Sequence, residues 1–448
     1  MRHWVGTAAI GLAAAGGLTA ALAQQPAPRP APHPAHRAAI APQAAPNAAL
    51  PTTAALLQGY VTADKTPGVV AAIGRGDAPP TILAYGKLAE GQAGPADANS
   101  LWRVYSMTKP VTAMAAMMLI EDGKLKLDQP VSDFIPAFRS MKVLTDPDAT
   151  EGLASRPAAR PITVRHLLTH TAGLGYSIIT KGPLLKEYER LGINPAQINA
   201  AAEAKMRATR PATLEAFANA VAQAPLIADP GTKWSYSISL DVLGRVIEVA
   251  SGMPFDAFLK ARIFDPLGMR SSFFTVPAGD VGRLASVYTF VGANRIPFDP
   301  AATSVFLQKP SFPYGGAGLV MSAVDYDRFL HMLQNGGTLD GKRVMKPETV
   351  RLAMSNLLPA GVAFRGVGGE TGGSGGQGFG AGGSVALTDT PGGPGAGTYG
   401  WGGAAGTIAW VDPKNRVRAT VMVNYFPANR YPLRAEATRA VYADIGRR

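Results

Sequence analysis

The chain has 448 residues, of which 47% are hydrophobic and 17% charged, and it contains no cysteine. This apolar fraction excludes a wholly disordered chain, and the lack of cysteine excludes disulfides, thiolate metal sites and a cysteine nucleophile. The formal net charge of +12 comes from scattered basic residues without a basic run, so we expect no nucleic-acid partner.

The N-terminal residues have the composition of an export signal followed by a spacer. A basic start and a small apolar stretch lead to Ala-Leu-Ala at 21–23, which resembles a signal-cleavage site. We predict a signal peptide over 1–23, with a retained membrane anchor as the alternative, and a Pro/Ala-rich linker over 24–52. The protein would then be periplasmic or secreted, with no integral membrane span after cleavage and one globular domain over 53–448.

The sequence of the globular part predicts strands near both of its ends and helices between them. Turn residues separate two apolar runs near its start, which predicts a hairpin, and three strands and a helix follow near its end. The predicted strands are 68–74, 81–85, 383–387, 407–411 and 417–425, and the predicted helices fall within 101–122, 163–168, 240–250 and 433–445. This order predicts an α/β (α+β) fold, with an antiparallel sheet built from both chain ends, flanked by helices, and an inserted mainly helical lobe.

The first chemical candidate is Ser-Met-Thr-Lys-Pro at 106–110, where an extended segment becomes a helix. Residues three apart share a helical face, so the Lys109 amine can approach the Ser106 hydroxyl and take its proton. By itself this spacing is weak, because a capping serine followed by a solvated lysine gives the same pattern.

Two further candidates lie far along the chain. Tyr236 stands at another loop-to-helix junction, where a tyrosine beside an ammonium group can shuttle protons, although a half-buried structural aromatic is the alternative. Trp401, Gly402, Gly403 and Ala404 precede a strand predicted near residue 407. Paired glycines at an edge strand let a substrate approach, and free N–H groups there can hold an oxyanion.

Together, the three motifs in this order resemble the serine β-lactamase and penicillin-binding protein superfamily. The likeness is greatest to its class C branch and to the family VIII carboxylesterases, and it extends from about residue 53 to the end of the chain. The phrases at 105–110, 162–171 and 315–319 strengthen the resemblance. It implies a β-lactamase-like fold and a two-step acyl-enzyme reaction without a cofactor or metal.

The resemblance also implies a role for each motif. Ser106 would be the acylated nucleophile, Lys109 its partner base, and Tyr236 the general base and acid. The backbone N–H groups of Ser106 and Ala404 would form the oxyanion hole. Substrate contacts are expected from Trp401, Gly402 and Gly403.

Two departures from the β-lactamase pattern bear on the substrate. Ile238 stands where those enzymes carry an asparagine, and Trp401 stands where they carry a lysine that meets the substrate carboxylate. Losing a charge-assisted contact costs about 1.5–3 kcal/mol of recognition. We therefore predict an esterase acting on esters with a short acyl group or a small alcohol, with Trp401 as an aromatic wall.

Other patterns carry less weight. A G-x-S-x-G match at 372–376 lacks the strand and helix of a nucleophile elbow, and a G-x-G-x-x-G match at 378–383 opens no helix. His166, His170 and His331 are expected to be structural rather than members of a triad or zinc site. The methionines at 114, 117 and 118 are expected in the core.

Three functions thus remain open from the sequence. The preferred one is an exported serine carboxylesterase acting on a small-molecule ester. A β-lactamase, D-amino-acid amidase or D-peptidase of the same fold is the nearest alternative. A catalytically silent envelope-binding protein is the alternative from a different class.

Overall fold

The computed structural model describes residues 49–92, 94–367 and 376–446. The predicted signal peptide and nearly all of the predicted linker lie outside the described residues. The first described helix begins at Pro51, two residues before the predicted start of the globular domain. Within the described ranges, no helix is both long and apolar enough to span a bilayer.

The helices fall mostly in the middle of the chain, with one at each end of the described part. They are α1 Pro51–Thr62, α2 Thr108–Glu121, α3 Val164–Leu168, α4 Gly182–Arg190, α5 Ala200–Met206, α6 Leu214–Val221, α7 Ser239–Ser251, α8 Phe255–Leu259, α9 Asp265–Leu267, α10 Ala323–Gln334, α11 Pro347–Ala353 and α12 Leu433–Ile445.

The strands form one large sheet and several small ones. They are β1 Gly68–Arg75, β2 Thr81–Gly86, β3 Trp102–Arg103, β4 Lys142–Leu144, β5 Ser155–Pro157, β6 Ser272–Phe273, β7 Val287–Val291, β8 Asn294–Asp299, β9 Val320–Met321, β10 Thr338–Leu339, β11 Lys342–Arg343, β12 Gln377–Phe379, β13 Ser384–Ala386, β14 Tyr399–Gly402, β15 Ile408–Asp412 and β16 Val417–Met422.

The large sheet joins the two ends of the chain. Its strand order is β12-β13-β14-β15-β16-β1-β2, and each neighbouring pair is antiparallel. The pairing of β1 with β16 sets Val70 opposite Met422 and Ile73 opposite Ala419. The predicted sheet built from both chain ends is therefore confirmed, as is the β1–β2 hairpin.

Strand β1 has no polar side chain before its last residue, Arg75, because helices cover both faces of the sheet. Val69, Ala71 and Ile73 pack into a core shared with α1 and α12. Val70 and Ala72 face the opposite way, into the larger core around α2 and α10. A strand buried on both faces has no reason to alternate polar and apolar residues, which explains its unbroken run.

The two terminal helices are tied together by a buried carboxylate. Asp444 of α12 accepts hydrogen bonds from the N–H groups of Thr52 and Thr53 at 2.9 and 2.8 Å, and from the Thr53 hydroxyl at 2.8 Å. These bonds satisfy N–H groups at the start of α1 that have no partner within the helix. These hydrogen bonds thus hold the first and last helices of the described chain together.

Helix α2 runs through the centre of the larger core. All its residues from Thr108 to Leu119 are buried, including Met114, Met117 and Met118, so the methionine group is core as predicted. Just before it, β3 pairs with β9, which fixes the path of the chain into the helix. Residues at the start of α2 are therefore held by packing on every side.

Candidate active site

Ser106 lies on a single 3₁₀ turn, Tyr105–Met107, directly before α2. Residues three apart lie almost above one another in such a turn, which favours a contact between positions i and i+3. Tyr105 has a φ of 42°, a strained left-handed conformation for a residue with a side chain. Its ring packs edge-on against Phe306 and Phe426 at 5.9 and 5.4 Å between centroids. The surrounding aromatic packing thus holds the bend that presents the serine.

The Lys109 side chain is completely buried beneath Ser106. Its Nζ donates to Ser106 Oγ at 3.2 Å and to the carbonyl oxygen of Gly316 at 2.8 Å. The same ammonium lies 4.6 Å from the ring centroid of Tyr236 and 5.3 Å from that of Tyr176. Hydrogen bonds and aromatic faces replace the water that the cation gives up on burial.

Tyr236 meets the same serine oxygen from a segment more than a hundred residues away. Its hydroxyl donates to Ser106 Oγ at 2.7 Å, and only 4% of the residue is exposed. The indole Nε1 of Trp401 in turn donates to the Tyr236 oxygen at 3.4 Å. The structure therefore brings together the serine, lysine and tyrosine that the sequence selected.

A buried carboxylate, absent from the sequence-based site, lies behind Lys109. Asp241, in the first turn of α7, accepts the Gly316 N–H at 2.8 Å, while the Gly316 carbonyl accepts Lys109. A Cβ at position 316 would lie 2.5 Å from the other Asp241 oxygen, so this close approach requires glycine. Burial raises the pKa of Asp241 to about 7, against the lowering effects of the Lys109 ammonium and the Gly316 N–H.

His170 packs against the ring of Tyr236. The two rings lie 4.8 Å apart, and His170 Nδ1 accepts the Ser237 N–H at 3.2 Å and lies 2.8 Å from Ser237 Oγ. Ser237 Oγ also forms a hydrogen bond with Ser239 Oγ at 2.7 Å. Burial, and secondarily the Lys109 charge, holds the pKa of His170 well below its usual value. The histidine is a neutral structural neighbour of the site.

The glycine turn after β14 lies against the segment that precedes Ser106. A Cβ on Gly403 would lie 2.3 Å from the carbonyl oxygen of Val104, so glycine permits this approach. The next residue, Ala404, is exposed and lines the same cavity as Ser106. Within the described ranges its N–H has no protein acceptor, which leaves it available to a bound oxygen atom.

A cavity of about 780 Å³ opens beside Ser106. We call it the lobe cavity, because one wall comes from the irregular lobe 176–209, which includes α4 and α5. Tyr176, Tyr188 and Met206 line that wall, and Phe426 lies across from them. The lining is mainly aliphatic and aromatic, as in pockets for apolar ligands.

Comparison with known proteins places this geometry in a family. The model of the Beta-lactamase family matches residues 53–444, most of the chain. The chain belongs to the Beta-lactamase family. The predicted resemblance and the predicted β-lactamase-like fold are therefore confirmed.

Relatives within the Beta-lactamase family include esterases. Protein Rv1367c of Mycobacterium tuberculosis is 33% identical over 343 residues, which cover 74% of this chain and 79% of that protein. Esterase EstB of Burkholderia gladioli is 34% identical over 378 residues, covering 80% and 86%. The solved structure of EstCE1, described as a hydrolase with promiscuous acyltransferase activity, is 29% identical with a TM-score of 0.69, covering 88% and 99%. These likenesses support a serine hydrolase in general terms.

The structure corrects the predicted position of Trp401. It was expected beside an edge strand beginning near residue 407, but Trp401 and Gly402 belong to β14, which lies between β13 and β15. Its ring packs 5.7 Å from that of Tyr236 and is not part of the lobe cavity lining. Trp401 and Gly402 also line a separate groove of about 270 Å³. Because the Trp401 indole donates to the Tyr236 hydroxyl, the ring still lies beside the reacting groups, and its role in substrate contact stays a prediction.

The departure from the β-lactamase pattern at position 238 also has a structural consequence. Ile238 is completely buried in the core at the start of α7. Its side chain therefore cannot replace the asparagine amide that would orient a substrate.

Two further histidines expected to be structural, His166 and His331, lie within the described part of the chain. His166 Nδ1 accepts the Thr163 N–H at 3.1 Å and completes the cap of α3. His331, on α10, lies 4.0 Å from Asp77. Among the described residues, no group of three or more metal-ligating side chains is placed to hold a metal ion.

The glycine motif at 378–383 gives no second site. The match at 378–383 is the turn between β12 and β13, and its amides are already used: Gly380 donates to Gly383, Ala381 to Ala353, and Gly382 to Leu168. Internally paired amides cannot cradle a phosphate. The G-x-S-x-G match falls at 372–376, of which 372–375 lie outside the described residues.

Sequence reasoning missed Asp241 and the lobe cavity. Asp241 had a readable signal, since a lone acid inside an apolar helical run is rarely buried without a partner. The lobe 176–209 carries no comparable motif. Its role follows from its position beside Ser106.

Proposed function

We propose that this protein is an exported serine carboxylesterase that works through a covalent acyl-serine intermediate. The observation that carries the proposal is the placement of Ser106 Oγ between Lys109 Nζ at 3.2 Å and the Tyr236 hydroxyl at 2.7 Å, at the edge of an apolar cavity. A serine with a proton acceptor in reach and water largely excluded is equipped for nucleophilic attack.

Acylation begins when Ser106 Oγ bonds to the ester carbonyl carbon. The Tyr236 hydroxyl, which donates to Ser106 Oγ in the resting site, first gives its own proton to water; its oxygen, beside the Lys109 ammonium, then takes the proton of Ser106. The N–H groups of Ser106 and Ala404 hold the negative charge that develops on the carbonyl oxygen. As the intermediate collapses, the bond to the alcohol oxygen breaks and Tyr236 returns the proton to that oxygen.

Deacylation repeats the same transfers with water in place of the alcohol. Tyr236 takes a proton from the water while the water oxygen attacks the acyl carbon. The ester bond to Ser106 then breaks, and the proton returns to Oγ. One ester and one water give one acid and one alcohol.

The site lacks two polar groups that would favour β-lactam and D-peptide substrates. The positions that would orient a substrate amide and bind a carboxylate are filled by Ile238, which is buried, and by Trp401, which contacts Tyr236. The esterase relatives favour the same conclusion. Hydrolysis of nitrocefin or D-alanyl peptides at a kcat/KM above that of p-nitrophenyl butanoate would reverse this preference.

Covalent labelling tests the nucleophile directly. Purified protein incubated with a fluorophosphonate should gain one adduct mass, located on the peptide that contains Ser106, and should lose activity in step. Ser106→Ala should gain none. An unlabelled and inactive wild-type protein would instead support the silent envelope-binding alternative.

Export is a separate part of the proposal. When the full chain is expressed in a Gram-negative host, the mature protein should be recovered outside the cytoplasm with Gln24 at its N-terminus. A chain lacking residues 2–23 is the matched control and should remain inside. A full-length protein retained in membranes would favour the anchor alternative.

A further inference from the structure

The lobe cavity is much larger than a short acyl group requires. Its volume is about 780 Å³. Pockets of about 300–1,000 Å³ enclose drug-sized molecules. An acetyl or butanoyl group would leave most of this space filled with water against apolar walls.

The walls of the lobe cavity fit an apolar occupant. Leu185, Ile193 and Ile198 from the lobe, with Phe298 from β8 and Phe426 from the loop after β16, present aliphatic and aromatic surfaces. Such surfaces bind in proportion to the apolar area they remove from water.

The position of Tyr236 indicates which half of the ester enters the lobe cavity. Ser106 and Ala404, which would flank the carbonyl, both line the cavity, whereas Tyr236 does not. In the proposed mechanism Tyr236 protonates the departing alcohol, so the alcohol leaves on the tyrosine side. The acyl group then points away from Tyr236, into the cavity.

We propose that the lobe cavity is an acyl-binding site, and that the enzyme prefers esters of bulky, mainly apolar carboxylic acids with roughly 10–20 non-hydrogen atoms. This inference rests on the proposed function. It replaces the short acyl group expected from the sequence with a large one.

A series of p-nitrophenyl esters with one leaving group tests the size preference. Each methylene buried in the transition state raises kcat/KM by about fourfold, so kcat/KM should rise about 100-fold or more from acetyl to octanoyl and decanoyl even if only some of the methylenes are buried. A flat series, or one that falls beyond butanoyl, would overturn the proposal.

A cavity-filling pair of variants tests the location. Ala202 lines the lobe cavity from α5, whereas Ala204 on the same helix is exposed and does not. Ala202→Phe should lower the ratio of kcat/KM for the decanoyl ester to that for the acetyl ester at least tenfold. Ala204→Phe should leave both unchanged. Equal losses on both esters in Ala202→Phe, or no loss on either, would contradict the assignment.

A second pair uses exposed side chains, where substitutions usually change stability little. Ile178 is 64% exposed and lines the lobe cavity, whereas its neighbour Ile179 is 37% exposed and does not. Ile178→Asp places a charge at the cavity and should depress decanoyl turnover selectively, while Ile179→Asp should not. The same ratio of decanoyl to acetyl kcat/KM in both variants would count against the proposal.

The acetyl ester separates the two levels of inference. If the protein neither turns over p-nitrophenyl acetate nor reacts with a fluorophosphonate, the proposed function itself fails. If it hydrolyses the acetyl ester but shows no rise with acyl size, the function stands and the acyl-site proposal fails.

Discussion

The two sides of the lobe cavity are built in opposite ways. On the side of Ser106, the reacting groups lie on the buried end of α2 and beside α7, and each is less than a tenth exposed. On the lobe side, the wall comes from loops and from the short helices α4 and α5, and it includes the 64% exposed Ile178. Proton transfer needs atoms fixed within a few tenths of an ångström, whereas apolar binding tolerates changes of shape. Chemistry is therefore set by the core, and selectivity by a surface lobe that is freer to vary.

The largest expected effect comes from the core side. Ser106→Ala should lower kcat on any ester by about 10⁶-fold if the three groups act as a unit, while the denaturation midpoint stays close to that of the wild type. Steady-state kinetics with p-nitrophenyl butanoate and thermal unfolding provide the two measurements. Retention of full activity would remove the serine from the mechanism.

The next effect separates proton transfer from binding. Tyr236→Phe removes the hydroxyl that lies 2.7 Å from Ser106 Oγ, and Lys109→Ala removes its ammonium partner. Each should lower kcat by about 10²–10⁴-fold with little change in the decanoyl-to-acetyl ratio. A selective loss on one ester would mean that these residues shape the pocket rather than move protons.

A smaller effect is expected at Asp241. Asp241→Asn keeps an oxygen to accept the Gly316 N–H but removes the buried negative charge behind Lys109. At pH 8 we expect kcat to fall about tenfold, equal to about 1.4 kcal/mol, with KM for both esters unchanged. A change in KM alone would assign Asp241 to substrate binding rather than to the positioning of Lys109.

Asp241→Asn should also change how the free energy of unfolding depends on pH. Burial raises the pKa of Asp241 from 3.8 to about 7, beside the Lys109 ammonium and the Tyr176 phenol. The folded state therefore holds this proton more tightly than the unfolded chain, and the resulting stability is complete below about pH 4 and lost as pH rises through 7. Denaturant titrations should show a weaker decline in unfolding free energy between pH 4 and 8 in Asp241→Asn. Parallel wild-type and variant curves would exclude this linkage.

The smallest effect is expected at Trp401. Trp401→Phe removes the 3.4 Å hydrogen bond to Tyr236 but leaves the lobe cavity intact. A reduction in kcat of about threefold, with the acyl-size profile unchanged, is expected from the loss of one weak hydrogen bond. A changed profile would move the acyl site to the tryptophan side.

The sheet could be predicted from the sequence because most of its strands are runs of apolar residues, and such runs have to be buried. The Ser106–Lys109 contact could be predicted because it depends on local spacing. The position of Trp401 was not predictable in the same way, since β14 is a short, glycine-containing strand that resembles a turn. The lobe cavity was not predictable either, because its walls come from segments far apart in the chain, such as Met206 and Phe426.

The bonds between Asp444 and the start of α1 have a practical consequence. They bring residue 53 beside residue 444, on the sheet face opposite α2. A short peptide joining the two ends would therefore give a circular permutant, with new termini opened at an exposed hairpin tip such as Gly292 between β7 and β8.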